Sequence, residues 1–534
     1  MKEINVKVVS DVVCNNLFRK INFDDNYKLK MVFSPVDQII PEIINCADED
    51  FLLLHISQYA FNSYVINKDF LEAMCQVFSH LEDLLKRSQV KIILNTVYFN
   101  CGSFSQAELI SKKKLISTFE QLLLDFTLRH PSECVVVDVA TLVANCGFSN
   151  NISFRNYGVM RYPYSKLIGT EISNEYMFHF KSYFNPRKKV IFVDADNTLW
   201  GGVVGEDGIG GIKVGHEYPG SMFRFFQLTL LRLKNSGVLL CLVTKNNIAD
   251  VEEAFFKRDM PLSLSDFVAV KSNWERKSGN IQQLLRLLNI GASSAIFIDD
   301  NPFEIEEVGR AHPDLLCLKF HINDFSDINN ELFKLSSLYE HNLTVEDTFK
   351  ADSYFQEEKR KDFLDKSNSL ENYLRDLSIK MTVHLNDMSL VSRVSQLTQK
   401  TNQFNLTTKR YSISEIEMFM KNNDVYAFSV EDKFGSMGVV GVVIVVDNMV
   451  DSLLLSCRAF GREIEKAMIL AVSVHVDKFP LYSQYRPTQK NDMTKDFYTK
   501  NGFHEQDIDN STVIYRLNKK MASSIGHIQE VIWN

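Results

Sequence analysis

Several features that mark membrane, secreted or nucleic-acid-binding proteins are missing from this sequence. Its longest apolar stretch, 438–446, is far too short to span a bilayer, and residues 1–10 lack the apolar segment of a signal peptide. The nine cysteines include no CxxC pair, which argues against a disulfide framework and a zinc site. With 59 basic and 67 acidic side chains and no strong basic cluster, nucleic acid is not the expected partner. We therefore expect a folded, cytoplasmic protein.

Length and residue patterning divide the chain into segments. Its 534 residues are enough for about three to four domains. Strand-like apolar runs alternate with helix-like stretches over residues 1–165, and the alternation returns over 187–335. It predicts an α/β fold with a doubly wound parallel sheet in each segment. Residues 345–376, charged with spaced aromatics, are predicted to form a helical linker, and 377–520 an α+β domain with a partly antiparallel sheet.

The predicted strands are 6–9, 51–56, 90–97 and 134–139 in the first segment, 190–193, 238–243, 267–270 and 295–298 in the second, and 426–430, 439–446 and 452–456 in the last.

The clearest chemical signal is an apolar run that ends in two carboxylates. The run 190–193 is typical of a buried parallel strand, and Asp194 and Asp196 follow it. Open α/β sheets place their chemistry just beyond the carboxyl ends of strands. Two carboxylates fixed there suit phosphoryl transfer through an aspartyl-phosphate. Taken alone, an Asp-x-Asp pair also fits a solvated loop or an Asx turn.

Polar and charged side chains follow the later strands of the same segment. Thr244, Lys245 and Asn246 offer a hydroxyl and nitrogen donors that suit the binding of phosphoryl oxygens. Lys277 would neutralise charge on the nucleophile or on the phosphate.

A second acidic strand end completes the set. Asp299 and Asp300 can form an oxygen-ligated Mg²⁺ site together with Asp194 and Asp196. A divalent ion there would offset the repulsion between these carboxylates and a phosphate dianion.

These motifs, in this order, resemble those of the haloacid dehalogenase (HAD) superfamily of aspartyl-nucleophile phosphotransferases. The resemblance implies that Asp194 attacks phosphorus and that Asp196 acts as general acid and then as general base. It also implies that Thr244 and Lys277 hold the phosphoryl oxygens and that Asp299 and Asp300 position Mg²⁺, with Asp300 as the direct ligand.

A narrower resemblance covers nearly the whole chain. The stretches 196–208, 401–411 and 456–462 are similar to those of the FkbH family, whose phosphatase domain is of the HAD-IIIC type. Members of that family take the acyl group of 1,3-bisphosphoglycerate, a phosphorylated three-carbon substrate, remove phosphate and deliver a glyceryl unit to an acyl carrier protein in polyketide-type assembly. The resemblance implies a phosphatase coupled to an acyltransferase.

The last segment resembles the GNAT acyltransferase fold. Arg458 and Gly461 match its phosphate-binding turn, and 496–503 resembles its second signature. Glu463 stands where that turn ordinarily has Gly or Ala, so we expect a carrier-protein phosphopantetheine arm and not coenzyme A.

Candidate acyl-handling residues lie in the same segment. Cys457, between a strand and an expected helix start, is the candidate thioester nucleophile, and the alternative is a small apolar filler in a sheet. Asn402, Gln403 and Asn405 are candidates for binding the glyceryl unit or the pantetheine arm, or for turn formation.

The first segment resembles the SGNH hydrolase fold without its catalytic residues. Its first strand ends in Ser10-Asp11, whereas the fold needs Gly-Asp-Ser, and His179 lacks the Asp-x-x-His pattern. We expect a noncatalytic α/β module in which His179 packs in the structure.

Two other functional interpretations stay open. One is a plain phosphatase of small molecules or phosphoproteins whose last domain only recognises a partner. The other is a scaffold that binds phosphorylated carrier proteins, although a pure binder has no need for Asp196.

Overall fold

The chain is described here by a computed structural model that covers residues 2–18, 27–60, 66–99, 102–321, 325–341, 360, 363, 369–509, 512–521 and 526–534. They group into two compact units, one of residues 1–189 and 323–342 and the other of 190–322 and 343–534. The mixed α/β fold class predicted from the sequence is confirmed. The domain boundaries predicted from the sequence stay predictions.

The first unit is built on a parallel sheet with the strand order β2-β1-β3-β4-β5. The strands are β1 (Lys2–Ser10), β2 (Tyr27–Phe33), β3 (Phe51–His55), β4 (Lys91–Asn95) and β5 (Cys134–Val137). The helices are α1 (Ile39–Ile44), α2 (Lys68–Arg87), α3 (Gln106–Arg129), α4 (Val139–Cys146), α5 (Phe148–Asn151), α6 (Phe154–Met160) and α7 (Lys166–Phe184).

Local sequence explains why these elements form. Every residue of β3 is buried, as expected for an apolar strand covered on both faces. Helix α2 begins where the Asn67 side chain accepts a hydrogen bond from the Phe70 amide. Phe70, Met74 and Val77 then recur at helical spacing and are buried against the sheet. The outcome is a core on each face of the sheet.

The second unit begins with another parallel sheet, in the order β10-β9-β6-β7-β8. Its strands are β6 (Val190–Val193), β7 (Leu239–Thr244), β8 (Ala269–Ser272), β9 (Ala295–Asp299) and β10 (Leu316–Lys319). Its helices are α8 (Val204–Gly211), α9 (Gly220–Asn235), α10 (Ile248–Lys257), α11 (Lys277–Leu287) and α12 (Pro302–Ala311). The central strand β6 lies between β7 and β9, so their carboxyl ends are neighbours.

Residues 325–341 pack with the first unit. They contain α13 (Phe325–Lys334), and the segment that follows it contacts the end of α7. The Lys188 amide donates to the Ser337 carbonyl at 2.9 Å, and the Asn185 side chain donates to Ser336 Oγ at 3.1 Å.

The C-terminal sheet is mixed, in the order β16-β17-β15-β14-β13-β12-β11-β18. Its strands are β11 (Ile379–Leu385), β12 (Asp424–Asp432), β13 (Gly435–Val446), β14 (Met449–Leu455), β15 (Leu481–Tyr485), β16 (His504–Asp509), β17 (Thr512–Leu517) and β18 (Ile528–Trp533). Its helices are α14 (Leu370–Asp376), α15 (Val391–Lys400), α16 (Ile413–Asn422), α17 (Ile464–His475) and α18 (Phe497–Lys500). Strands β11 to β14 are antiparallel, and β14 runs parallel to β15.

Most of the predicted linker 345–376 lies outside the described residues. Its described part ends in α14, and Arg360 forms a buried ion pair with Asp432 at the end of β12. None of the described helices combines the length and the apolar character that crossing a bilayer requires.

Candidate active site at the carboxyl edge of the central sheet

The register of the central sheet brings two acidic strand ends together. Val193 pairs with Ile298 in the neighbouring strand, and the Asp194 amide donates to the Ile298 carbonyl at 3.0 Å. Asp194 follows β6, and Asp299 ends β9. Both side chains are buried, so their charge needs a partner inside the protein.

Lys277 is that partner. Its ammonium lies 2.7 Å from Asp194 Oδ1 and 2.7 Å from Asp299 Oδ2, and only 4% of its side chain is exposed. Burial lowers the pKa of Lys277, but the two carboxylates outweigh it and hold that pKa above its ordinary value. Burial, and then the charge of Asp194, raise the pKa of Asp299 above its ordinary value, although Lys277 opposes the shift. The lysine is therefore a fixed counter-charge beside the candidate nucleophile.

Asp300 adds a third carboxylate to this group. One carboxylate oxygen from each of Asp194, Asp299 and Asp300 lies within 4.8 Å of the others. Burial, and then the charge of Asp194, raise the pKa of Asp300, whereas Lys277 lowers it. Oxygen ligands at this spacing fit a small divalent cation such as Mg²⁺.

Asp196 is not a member of that carboxylate cluster, and its side chain is fixed by three hydrogen bonds. Its Oδ1 accepts hydrogen bonds from Trp200 Nε1 at 2.8 Å and from the Val204 amide at 3.1 Å, and its Oδ2 accepts one from Asn246 Nδ2 at 3.0 Å. Burial raises the pKa of Asp196, and the hydrogen bonds from Asn246 and Val204 limit the rise. A carboxyl group with a raised pKa suits general acid and base catalysis. The role of Asp196 as a metal ligand stays a prediction.

The turn after Asp196 depends on a glycine. Gly202 has φ +93°, and a Cβ there would lie 2.5 Å from Asp207 Oδ2. The Gly202 amide donates to Asn197 Oδ1 at 2.9 Å, and the Val203 amide donates to Asp207 Oδ2 at 2.8 Å. These bonds fold the chain so that the Val204 amide reaches Asp196.

Of the three predicted phosphate-binding residues after β7, two lie beside the carboxylates and the third forms an ion pair elsewhere. Thr244 and Asn246 are buried, and Asn246 Nδ2 donates to both Thr244 Oγ1 and Asp196 Oδ2 at 3.0 Å. Lys245 instead pairs with the buried Glu304 at 2.6 Å. The structure thus brings Thr244 and Asn246 to the carboxylates, whereas the Lys245 charge is already compensated.

Cys457 is exposed and is separated from the end of β14 by one residue, Ser456; it is the first residue of a short 3₁₀ turn. Helix α17 begins only at Ile464. Residues 457–463 form that turn and then a left-handed residue, Glu463, so the helix does not begin directly after Arg458. The assignment of Cys457 as the thioester nucleophile stays a prediction.

Two of the other three candidate acyl-handling residues form hydrogen bonds within the chain. Asn405 is fully buried, and its Oδ1 accepts a hydrogen bond from the Thr408 amide at 2.8 Å, as in a turn. Asn402 Oδ1 accepts a hydrogen bond from Arg410, and Gln403 is exposed.

The predicted phosphate-binding turn of the C-terminal domain is compact. The Arg458 carbonyl accepts a hydrogen bond from the Arg462 guanidinium at 2.7 Å, and Gly461 has φ +74°. The binding roles of Arg458 and Gly461 stay predictions.

In the first unit, His179 lies within α7 and is buried. Its ring meets Tyr339 edge to face at 4.9 Å, and burial lowers its pKa to about 4. The sequence predicts that His179 packs in the structure, and its burial within α7 agrees with that prediction.

Two contributors to the site were missed at the sequence level. Trp200 donates to Asp196 from four positions along the chain, and Glu304 pairs with Lys245 from the first turn of α12. Both residues lie in stretches that the motifs draw attention to, but spacing alone does not say which side chain a carboxylate or a lysine will meet.

Comparisons with known proteins agree with this fold. A crystal structure of the N-terminal part of the protein BF1531 from Bacteroides fragilis, containing a phosphatase domain complexed with Mg, aligns with a TM-score of 0.53 and 23% identity, over 64% of this chain and 95% of that chain. At this identity the likeness shows a shared fold alone. No protein-family model and no curated protein sequence matches the chain.

Likenesses to two further structures are too weak to support any argument. The PaiA N-acetyltransferase from Thermoplasma acidophilum, in complex with coenzyme A, gives a TM-score of 0.18 at 16% identity over 26% of this chain and 98% of that chain. A protein from Corynebacterium glutamicum gives 0.21 at 13% identity over 29% of this chain and 98% of that chain. The GNAT-like assignment therefore stays a prediction.

Proposed function

We propose that the chain is a Mg²⁺-dependent phosphoryl hydrolase that forms a phosphoenzyme on Asp194. The observation that carries the proposal is the grouping of Asp194, Asp299 and Asp300 around one point, with Lys277 against two of them. A protein that only binds phosphate gains nothing from three clustered carboxylates, two of them buried, because they repel a phosphate unless a cation is bound. The Mg in the similar Bacteroides fragilis phosphatase-domain structure supports the choice of ion.

Each residue of the site has a separate role in the proposed reaction. Asp194 Oδ attacks phosphorus, so that an O–P bond forms while the bond to the leaving oxygen breaks, and Asp196 gives that oxygen its proton. Asp196 next takes a proton from water, which attacks the acyl phosphate and frees Asp194. Lys277 and Thr244 neutralise and bind the phosphoryl oxygens. Asp194, Asp299 and Asp300 would hold Mg²⁺, which supplies electrophilic stabilisation when bound.

Substitution of the two aspartates tests this proposal. Asp194→Asn and Asp196→Asn should each lower phosphate release from a phosphate ester by about 10²–10⁴-fold. Asp259→Asn is the matched control, because that exposed aspartate lies in the same sheet domain and pairs with His216 and Arg224. Phosphate release that survives Asp194→Asn excludes the aspartyl route.

We further propose that the phosphatase is coupled to acyl transfer through Cys457. The Cys457 thiolate attacks the carbonyl carbon of 1,3-bisphosphoglycerate, a C–S bond forms, and the phosphate of the anhydride leaves. The Asp194 site hydrolyses the remaining phosphate ester. The phosphopantetheine thiol of an acyl carrier protein then attacks the thioester and releases the thiolate. What supports this step is the exposure of Cys457 together with the sequence resemblance.

Intact-protein mass spectrometry after incubation with 1,3-bisphosphoglycerate tests the coupling. We expect an acyl adduct on the wild type, its loss in Cys457→Ala, and its retention in Cys75→Ala, the control at another exposed cysteine. Phosphate release with no adduct would favour the second candidate, a phosphatase whose C-terminal domain only recognises a partner. The observation in favour of that candidate is that the side-chain oxygens of Asn402 and Asn405 accept hydrogen bonds from Arg410 and Thr408 of the same chain, instead of facing an acyl group.

A further inference from the structure

The indole of Trp200 is held rigidly beside Asp196, the candidate acid and base of the central site. Its side chain is fully buried, and its ring meets the Phe255 ring edge to face with centroids 5.6 Å apart. The next residue, Gly201, exchanges two backbone hydrogen bonds with Lys213, at 3.0 and 2.7 Å. Because both the ring and the backbone are fixed, the direction of the indole N–H is set before a substrate binds.

Two donors converge on one oxygen of Asp196. Trp200 Nε1 lies 2.8 Å from Oδ1, and the amide of Val204, the first residue of α8, lies 3.1 Å from the same oxygen. A carboxylate oxygen offers about two acceptor positions, so both positions on Oδ1 are taken. A backbone carbonyl would satisfy a buried indole N–H equally well. A bond to a partly exposed carboxylate does more, because it fixes the rotation of that carboxyl group.

The other oxygen of Asp196, Oδ2, is linked to the candidate phosphate ligand Thr244. Asn246 Nδ2 lies 3.0 Å from Oδ2 and 3.0 Å from Thr244 Oγ1, so one amide group bridges the two side chains. Within the described part of the chain, Oδ2 accepts no other hydrogen bond and keeps one acceptor position. Of the two oxygens, Oδ2 is therefore the one with room to exchange a proton, and it lies on the side of Thr244.

We propose that Trp200 is a positioning residue of the proposed hydrolase, on which its role rests, and that it fixes Asp196 so that Oδ2 exchanges the proton. In the first step the proton on Oδ2 passes to the leaving oxygen, which keeps the electron pair of its broken bond to phosphorus. In the second step Oδ2 takes a proton from water, the water oxygen bonds to phosphorus, and Asp194 recovers the electron pair of its O–P bond.

Replacement of Trp200 by benzothienylalanine, in which sulfur takes the place of the N–H group, tests this role in the full chain with Mg²⁺ present. The value of kcat/KM covers formation of the phosphoenzyme, the step in which the leaving oxygen takes its proton. Phenyl phosphate needs that proton, whereas dinitrophenyl phosphate releases a stable anion without it. We expect kcat/KM to fall by about 10–100-fold for phenyl phosphate and by less than about twofold for dinitrophenyl phosphate.

Two further variants serve as controls. The same replacement at Trp274, whose side chain is 71% exposed in the same sheet domain, should leave both kcat/KM values unchanged. Trp200→Phe removes the N–H together with part of the ring, so hydrolysis of dinitrophenyl phosphate measures how much folded enzyme remains. The ratio of the two kcat/KM values should fall in Trp200→Phe as it does with benzothienylalanine.

An equal fall of kcat/KM for both esters means that Trp200 only maintains the fold, and it overturns the proposal. An unchanged or higher value for phenyl phosphate also overturns it, because the N–H would then not be needed to direct the carboxyl group. Both results leave the hydrolase intact if Asp194→Asn lowers phosphate release from both esters. If release survives Asp194→Asn, the hydrolase fails and the role of Trp200 fails with it.

Discussion

Replacement of Lys277 by Met should destabilise the central sheet strongly. The ammonium lies 2.7 Å from oxygens of both Asp194 and Asp299, and the three side chains are 4%, 8% and 0% exposed. Removing one partner of a buried ion pair costs about 3–5 kcal/mol, because the remaining charge stays away from water. Two carboxylates lose their counter-charge here, so we expect the upper half of that range.

The control substitution is Lys234→Met. Lys234 lies 2.6 Å from Asp266 in the same sheet domain, but its side chain is 22% exposed. Solvent screens that pair, so its loss should cost only about 1 kcal/mol or less. Lys277→Arg, which keeps the charge, should recover part of the stability that Lys277→Met loses.

Hydrogen exchange read by mass spectrometry is the appropriate assay, because a chain of several domains does not unfold in one step. Peptides that contain 190–193 and 295–299 report the opening free energy of β6 and β9, and EDTA keeps adventitious metal away from the carboxylates. If Lys277→Met lowers this free energy by no more than Lys234→Met does, the lysine is not the internal counter-charge of the site, and the electrostatic reasoning fails.

Three further outcomes are expected. His55 accepts and donates hydrogen bonds with the Tyr164 and Tyr176 hydroxyls, and burial lowers its pKa to about 3 from 6.5, so the folded first unit holds it neutral. The unfolded chain binds a proton below pH 6.5, and the unit should therefore lose about 2 kcal/mol between pH 7 and pH 5. Exchange of β3 should show this loss in the wild type and a shallower pH dependence in His55→Gln. Arg360→Met removes the ion-pair partner of the fully buried Asp432 carboxylate and should destabilise the β12–β13 hairpin by about 3–5 kcal/mol. Hydrogen exchange over residues 424–446 measures this loss. The control Arg375→Met, at an exposed ion pair, should change the stability little. Gly202→Ala should cost about 1–3 kcal/mol and reduce phosphate release, because a Cβ would meet Asp207, whereas Gly205→Ala, with open space around it, should be neutral. Equal effects of the two glycine substitutions would mean that the turn is not strained.

The strands that carry the candidate site could be predicted from the sequence, but one edge strand of each parallel sheet, β2 in the first and β10 in the second, could not. The runs at β3, β6, β7 and β9 are continuously apolar because both faces of a central parallel strand are covered. Strand β2 alternates between intermediate and exposed residues, and β10 is at most half-buried. An edge strand packs on fewer neighbours, so its sequence carries less of the apolar signal.

The sequence by itself determined which chemical groups stand at the strand ends, since Asp194, Asp196, Thr244 and Asp299 each follow or end an apolar run. Only the tertiary structure decided how those groups share partners. Lys277 reaches two carboxylates from the first turn of α11, Asn246 reaches Asp196, and Lys245 turns away to Glu304. The reason is physical: which charges meet depends on strand order and side-chain direction across the sheet, and neither is encoded in the spacing along one strand.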